Sequence, residues 1–266
     1  MDITIISGYI GALLIGIVLG LIGGGGSILT VPIFVYLLSI NPVTATAYSL
    51  FVVGISSLVG AIKNIKRGLV DFKTAFVFSV PAFTAVYITR RFIVPAIPEE
   101  LFTVDNYIVT KDVSIMVFFA IIMLLASFSM IRSGPKGIEN KSIKHFNYPL
   151  ILIEGAAIGM VTGIVGAGGG FLIIPALVIL GKLPMKKAVA TSLLIIAVKS
   201  LIGFVGDIEN LEIDWTFLLS FSSLSIIGIF IGIRLGHFVN GKKLKKGFGW
   251  FVLLMGIYII FKEFSG

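Results

Sequence analysis

The sequence predicts an all-α polytopic membrane protein made of two inverted-topology repeats, with broken or re-entrant helices at glycine-rich motifs. Of its 266 residues, 57% are hydrophobic and only 13% are charged, which is far more apolar than an ordinary globular domain. The stretch GLIGGGGSILTVP at 20–32 places four consecutive glycines between two apolar runs. A similar stretch recurs 143 residues later, and duplicated units with broken helices are typical of secondary transporters.

The composition excludes several classes of protein. No cysteine is present, so disulfides, thiolate metal sites and cysteine nucleophiles are excluded. The net charge of +8 comes from basic residues in short loops between apolar runs, which fits a membrane surface better than a nucleic-acid face. The spacings typical of metal sites, P-loops, dinucleotide folds and nucleophile elbows are absent, so we expect neither a cofactor nor an enzyme.

Apolar runs bounded by glycine, proline or charge define ten segments. They are 3–22, 28–40, 44–62, 73–95, 113–131, 148–165, 171–181, 185–204, 215–233 and 247–261. The first segment has no basic region before it, so we expect a retained membrane helix and not a cleaved signal peptide. The second and seventh are shorter than the roughly 20 residues needed to cross a bilayer core, so we expect half-helices that either cross or re-enter. Their broken backbone must be buried in protein or line a wet cavity.

The charged loops predict the orientation of the chain. If the segments alternate in direction, the loops near 63–73, 132–147, 182–187 and 234–246 share one side and hold 16 of the 21 basic residues. The opposite side holds 10 of the 13 acidic residues. The positive-inside rule makes the basic side cytoplasmic and leaves both termini outside, with the plasma membrane as the expected location.

The repeat is visible without gaps. Residues 16–60 and 159–203 share 17 identities in 45 positions, including six glycines, a proline and two serines. The predicted units are a first transporter repeat at 1–131, a cytoplasmic connecting loop at 132–147 and a second repeat at 148–266. Each unit contains an odd number of crossings, so the two repeats are expected to be inverted in the membrane.

The glycine runs predict an anion site. Four glycines end a helix, and a new short helix is expected to begin at Ser27 or Ile28 with its free amide groups facing the break. Such helix ends attract anions. The second copy, GAGGGF, repeats the arrangement from the other side. The two electropositive ends therefore predict one shared pocket at mid-depth, formed by Gly23, Gly24, Gly25, Gly26, Ser27, Gly166, Gly168, Gly169 and Gly170.

The alternative for a glycine in a membrane protein is close helix packing, and it suits Gly16, Gly20, Gly159, Gly163, Gly228, Gly232 and Gly236, which are spaced four residues apart. The hydroxyls of Ser49, Thr191 and Ser192 either donate to a bound oxyanion or bond back to their own helix.

Two ionisable residues lie inside apolar runs, where charge is expensive and usually functional. Lys199 is either a substrate ligand or a lysine whose stem reaches the interface. Glu154 is the candidate for carrying a proton. Asp71 and Asp214 precede helical runs and are expected to cap them. Arg91 and Arg234 are expected to anchor at the interface.

The doubled pattern G-x-x-G-x-G-G-x-x-x-x-x-P, followed by A-x-A-x-S-L, resembles the TauE/SafE group of membrane permeases, also called the sulfite exporter or TSUP family. The resemblance implies secondary transport of small sulfur-containing anions such as sulfite, sulfonates or sulfoacetate, with energy from the proton gradient. The matching positions are Gly23, Gly25, Gly26, Pro32, Ala45, Ala47 and Ser49, and Gly166, Gly168, Gly169, Pro175, Ala188, Ala190 and Ser192. The stretch at 90–112 has no counterpart in the second half.

Two other classes of function stay open on sequence. An uncoupled anion channel differs from a transporter only in lacking coupling. A membrane-embedded enzyme or assembly factor would be expected to cluster His, Asp or Glu at membrane depth, where this sequence offers only Glu154 and Lys199. The expected partners are a small anion, protons and the lipid bilayer, and homo-oligomerisation stays open.

Overall fold

In the computed structural model, the described residues are 3–104, 107–132, 148–179, 181, 183–236 and 241–265. Most of them lie in ten helices. These are α1 (Ile3–Ile22), α2 (24–37), α3 (Pro42–Lys66), α4 (Phe72–Ala96), α5 (Lys111–Arg132), α6 (Tyr148–Val165), α7 (Gly170–Ile179), α8 (Met185–Val205), α9 (Trp215–Leu235) and α10 (Gly241–Ser265). Each predicted segment thus contains a helix. The connecting loop predicted at 132–147 lies outside the described residues, apart from Arg132.

The helices have the length and composition of membrane spans. Five of the described helices, α3, α4, α5, α8 and α9, are apolar and long enough to cross a bilayer. Large apolar side chains such as Phe76, Leu125 and Phe128 are 64–72% exposed, as expected where a protein surface faces hydrocarbon and not water. The chain is therefore an all-α multi-pass membrane protein.

A small hairpin interrupts this pattern between α4 and α5. Strands β1 (Glu100–Val104) and β2 (Tyr107–Thr110) pair antiparallel. The Lys111 amide donates to the Glu99 carbonyl at 2.9 Å, which closes the hairpin at the start of α5. The sequence did not indicate a strand in the stretch at 90–112, because a short run of mixed polar and apolar residues gives little periodic signal.

The short helix α2 runs back along α1. A Cβ built on Gly11 would lie 3.1 Å from the Ile33 side chain, and one on Gly8 would lie 2.6 Å from Leu38. At the other end, Gly26 lies against the backbone of Leu19. The break at Gly23 is therefore the tip of a helical hairpin whose two arms return toward one end of the molecule.

Glycines bring two pairs of helices into close contact, as the packing interpretation predicts. The Cα of Gly16 in α1 lies against the Ser225 carbonyl of α9, and Gly159 in α6 lies against the Ala82 carbonyl of α4. In each case a side chain would overlap the neighbouring backbone. Packing is thus confirmed as the role of these glycines.

The two halves contact each other through equivalent positions. The Asp71 amide donates to Thr191 Oγ1 at 3.0 Å, and the Asp214 amide donates to the Tyr48 hydroxyl at 2.7 Å. The 143-residue offset of the repeat relates Asp71 to Asp214 and Tyr48 to Thr191. The first bond joins the loop after α3 to the first half of α8, and the second joins the loop after α8 to the first half of α3. The two helices therefore pack antiparallel.

The predicted caps are present at equivalent helices. Asp71 Oδ1 accepts from the Thr74 amide at 2.9 Å at the start of α4, and Asp214 Oδ1 accepts from the Phe217 amide at 3.0 Å at the start of α9.

We expect Asp214→Ala to lower the free energy of unfolding by about 1 kcal/mol, because the capped amide loses its acceptor. Thermal unfolding of the purified protein in detergent measures this. Asp214→Asn keeps an acceptor oxygen and should retain most of the stability, and Glu212→Ala, at an exposed position in the same loop, is the matched control. A loss in Asp214→Asn as large as in Asp214→Ala would contradict the cap.

Candidate functional site

The two glycine runs meet inside the protein. Gly24 lies against the backbone of Gly170, so closely that a side chain on either residue would overlap the other. Gly168 lies beside Ser27, and a Cβ built on Gly168 would be 3.2 Å from the Ser27 Cβ. All four residues are buried. The start of α2 and the start of α7 are therefore side by side, as the repeat predicted.

The backbone at both breaks requires glycine. Gly23 and Gly166, which are equivalent in the repeat, have φ of 75° and 70°, a conformation that residues with a Cβ rarely adopt. Gly168 and Gly169 also have positive φ, at 61° and 62°. The two breaks are therefore not identical, since the second contains three glycines with positive φ and the first contains one.

The predicted start of the first short helix was wrong. Helical structure begins at Gly24, as a 3-10 turn over Gly24–Leu29, and not at Ser27 or Ile28. Gly24, Gly25 and Gly26 are therefore the first helical residues and not part of an open linker. The Ser27 hydroxyl donates to the Gly24 carbonyl at 2.7 Å and does not cap the helix. Tight packing against α1 and α7 explains why glycine, a poor helix former, is helical here.

Lys199 lies at the second break. Its side chain is fully buried, and its Nζ donates to Thr162 Oγ1 at 2.7 Å. A Cβ built on Gly169 would lie 2.9 Å from this Nζ. The ammonium therefore faces the glycine run and does not extend to the membrane surface, which removes the snorkelling alternative.

Within the described part of the chain, no carboxylate neutralises Lys199. Its Nζ takes no part in the ion pairs of Arg90, Arg91 and Lys111, and Thr162 accepts only one of its three N–H donors. A buried charge without a partner costs several kcal/mol. An anion bound at the glycine run would offset this cost.

The three predicted hydroxyl donors have different surroundings. The Thr191 hydroxyl accepts from the Asp71 amide, two turns of α8 away from Lys199. Ser192 Oγ donates to the Val189 carbonyl at 2.9 Å, which is the back-bonding alternative. Ser49 Oγ is buried in α3 without a hydrogen-bond partner among the described residues. Of the three, Ser49 alone has an uncommitted hydroxyl.

Glu154 lies apart from Lys199. It is half-buried near the start of α6, and its Oε2 has no hydrogen-bond partner in the ranges that the structure describes. The neighbouring Leu152 and Ile153 are exposed on the apolar surface. The structure therefore does not place Glu154 in contact with the glycine runs.

The predicted shared pocket is closed at the glycine runs, because their backbones touch. A cavity of about 370 Å³ lies instead at one end of the molecule, where α3 and α5 begin and where α4 and α8 end. Its lining includes Asn41, Glu99, Lys111, Asp112 and Asp207. These side chains belong to the predicted outer side, so we call this space the outer cavity.

A buried ion pair separates the outer cavity from the second glycine run, and the sequence did not reveal it. Arg90 Nε donates to Asp207 Oδ2 at 2.7 Å, with the arginine fully buried and Asp207 3% exposed. From the sequence, Arg91 was expected to anchor at the interface, and Arg90 was not singled out. Arg91 pairs with Glu209 at the surface. The signal that was available was the position of Arg90 inside the apolar run at 73–95.

Comparison with known proteins gives a consistent result. The sequence profile of the family described as Sulfite exporter TauE/SafE matches residues 9–259. A "Probable membrane transporter protein" of Xylella fastidiosa (strain Temecula1) is 25% identical over 261 residues, which cover 95% of this chain and 93% of that protein. The "Probable membrane transporter protein YunE" of Bacillus subtilis is 28% identical over 263 residues, covering 93% and 92%. No solved structure matches the chain.

Proposed function

The chain belongs to the sulfite exporter TauE/SafE family, and we propose that it is a secondary transporter that moves small sulfur-containing anions of the sulfite, sulfonate or sulfoacetate type. The family and its relatives place the chain among membrane transporters and not among enzymes. The substrate class, the coupling to protons and the site are our proposals.

The observation that carries the proposal is the buried Lys199 ammonium at the contact between the two glycine runs. It has one hydroxyl acceptor and no carboxylate partner among the described residues. A buried cation beside two glycine runs is complementary to an oxyanion, since charge-assisted hydrogen bonds are the strong ones. The proposed ligands are Lys199, which Thr162 positions, Ser27 and the backbone amides of the two glycine runs. The amides of Gly26, Gly166 and Gly169 donate to carbonyls in this structure, so they are not counted among these ligands.

We further propose that the two halves are inverted repeats that alternate around this site. The antiparallel packing of α3 against α8 and the equivalent bonds of Asp71 and Asp214 support this arrangement. Transporters of this kind open one side at a time by moving one bundle against another. With the basic loops in the cytoplasm, both termini lie outside and the protein resides in the plasma membrane.

The contact between Gly24 and Gly170 is consistent with a closed state in this scheme. An anion that reaches Lys199 must separate the two runs. Glycine backbones without side chains leave little to reorganise when the runs part, so the same contact both seals the site and permits its opening.

Flux measurements test the proposal. In proteoliposomes with an imposed pH gradient, we expect sulfoacetate to accumulate against its own gradient, and a binding screen should rank sulfite, thiosulfate, taurine, sulfoacetate and sulfate. Sulfoacetate is the better probe for coupling, because it stays ionised near neutrality whereas sulfite titrates there.

The outcomes separate the three candidate functions. Accumulation that collapses when the pH gradient is dissipated supports a proton-coupled transporter. Equilibration without accumulation indicates an anion channel, and the absence of flux and of binding for all five anions would contradict transport and favour an enzyme or assembly factor. Liposomes without protein give the background.

A further inference from the structure

The Arg90 guanidinium donates three hydrogen bonds, but one of its nitrogen atoms has no acceptor among the described residues. Its Nε donates to Asp207 Oδ2 at 2.7 Å, and its Nη1 donates to Thr46 Oγ1 at 3.0 Å and to the Gly163 carbonyl at 3.3 Å. Its Nη2 is buried and has no hydrogen-bond partner among the described residues. A fully buried guanidinium with an unused donor atom is unusual, because an unsatisfied buried polar group is costly.

The position of Arg90 connects two features of the molecule. Asp207 lines the outer cavity, and the fully buried Arg90 lies behind its carboxylate. On its other side, Arg90 contacts Thr46, and Thr46 lies directly against Gly166 at the start of the second glycine run. The guanidinium therefore lies between water at the outer end and the proposed binding site.

The ion pair has no equivalent at the inner end. The 143-residue offset of the repeat relates Asp207 to Asn64 and Arg90 to Ile233. An ion pair that served only to hold the shared fold together would be expected in both halves. Its presence in one half alone indicates a role specific to the outer route.

We propose that Arg90 is a second oxyanion-binding group, on the outer route to the glycine runs, and that Asp207 is its exchangeable counter-ion. In the closed state the Asp207 carboxylate accepts the hydrogen bond that the Arg90 guanidinium would otherwise offer to an anion. A small sulfonate or sulfite in the outer cavity replaces it, because guanidinium binds planar pairs of oxygens on carboxylates and oxyanions alike. This inference rests on the proposed anion transport and adds a site to it.

A proton on Asp207 has the same effect as an arriving anion, since a neutral carboxyl releases Arg90. Burial raises the pKa of Asp207, and the neighbouring Arg90 opposes this shift. The other charged groups around the outer cavity are Glu99, Lys111 and Asp112. Falling pH therefore favours release of the guanidinium, and one ion pair links the binding of an anion to the uptake of a proton.

The absence of native cysteine allows a direct test with Thr46→Cys as the only thiol, in detergent-purified protein. The probes are the anionic sulfonate reagent MTSES and the cationic reagent MTSET. We expect Asp207→Asn to speed modification of this thiol by MTSES about tenfold or more, because Arg90 then attracts the sulfonate. Glu209→Gln, which breaks the neighbouring surface ion pair, is the matched control and should leave the rate unchanged.

Arg90 itself is tested by the preference for the anionic reagent. Each rate is divided by the rate at an exposed thiol, Ile208→Cys, to remove the intrinsic reactivity and its pH dependence. Adding Arg90→Gln to the Asp207→Asn variant should abolish the excess of MTSES over MTSET. If Asp207→Asn does not fold, the Thr46→Cys protein is sufficient for the test. Its normalised MTSES rate should rise as the pH falls, because protonation of Asp207 releases Arg90.

Equal MTSES rates with and without Asp207→Asn, or a preference for MTSES that survives Arg90→Gln, would overturn this inference. A separate measurement tests the proposed site at the glycine runs. Sulfite binding that survives Lys199→Gln in the otherwise unchanged protein would contradict that site. The two readouts are independent, because the reagents report the outer route and sulfite binding reports the glycine runs.

Discussion

Replacement of Lys199 by glutamine is expected to lower the affinity for sulfite by about 30-fold to about 4,000-fold. Loss of one partner from a buried, hydrogen-bonded charge pair costs about 2–5 kcal/mol, and each 1.4 kcal/mol is about tenfold in affinity. Lys199 supplies the formal positive charge at the glycine runs, so the substitution removes that charge from the site. Titration calorimetry of the purified protein with sulfite measures the change.

Lys199 is also expected to lower the thermal stability of the protein when no anion is bound. Lys199→Met removes a buried charge that has no counter-ion among the described residues, and we expect the melting temperature in the absence of anion to rise while binding is lost. A structural lysine would give the opposite result, since its removal would lower the melting temperature. A group kept for binding at the expense of stability is typical of functional sites.

A lysine on the same helix provides the matched control for both readouts. Lys187→Gln removes one positive charge from α8 at an exposed position, so neither sulfite affinity nor melting temperature should change appreciably. If Lys187→Gln and Lys199→Gln weaken binding equally, general electrostatic attraction explains the effect and the site does not.

The parts of the fold that could be predicted from the sequence are those that depend on local composition. Apolar runs located the ten described helices. Asp71 and Asp214 were recognised as caps because a short acidic side chain before a helix has one common role. Gly16 with Gly20 and Gly159 with Gly163 were recognised as packing contacts, because a spacing of four residues places both glycines of each pair on the same face of their helix.

The central contact could also be predicted, because duplication adds information that composition lacks. Two copies of one break in a single chain imply a pseudo-symmetric meeting point, and Gly24 does lie against Gly170. The shape of that meeting point could not be predicted. The sequence suggested an open pocket between two helix ends, but glycine backbones without side chains pack directly against each other.

The ion pair of Arg90 with Asp207 could not be found in the same way. The residues are 117 apart in sequence, and the repeat gives no equivalent pair that would reveal the contact. Arg90 and Arg91 are adjacent and chemically identical, yet one is fully buried and the other pairs with Glu209 at the surface. Both lie in the π-helical turn Thr89–Ile93 near the end of α4, and only their positions around that turn distinguish them.

A single methyl group at the contact between the glycine runs should have the largest effect on the fold. A Cβ on Gly170 would overlap the backbone of Gly24, and a Cβ on Gly24 would overlap Gly170 in return. Backbone cannot rotate aside as a side chain can, so Gly170→Ala is expected to cost about 3 kcal/mol or more. The yield of folded protein after membrane extraction, followed by the melting temperature, measures this loss.

A graded series relates this contact to binding. Gly169→Val introduces a side chain against Thr162 and Lys199 at a residue with φ of 62°, so sulfite binding should be lost even where the protein still inserts. Gly25→Val, at the first break, should have the same effect on binding. Gly247→Ala is the control, because a Cβ there meets open space within a helix and should stabilise by about 0.5–1 kcal/mol.

The comparison of these variants decides whether the two breaks act as one site. If Gly25→Val and Gly169→Val both retain wild-type sulfite affinity, the glycine runs do not bind the anion, whatever the effect of Gly170→Ala on folding. Loss of binding in only one of them would place the anion at that break alone. Loss in both, with insertion intact, requires a ligand that contacts both halves of the chain, and alternation around a shared site depends on that property.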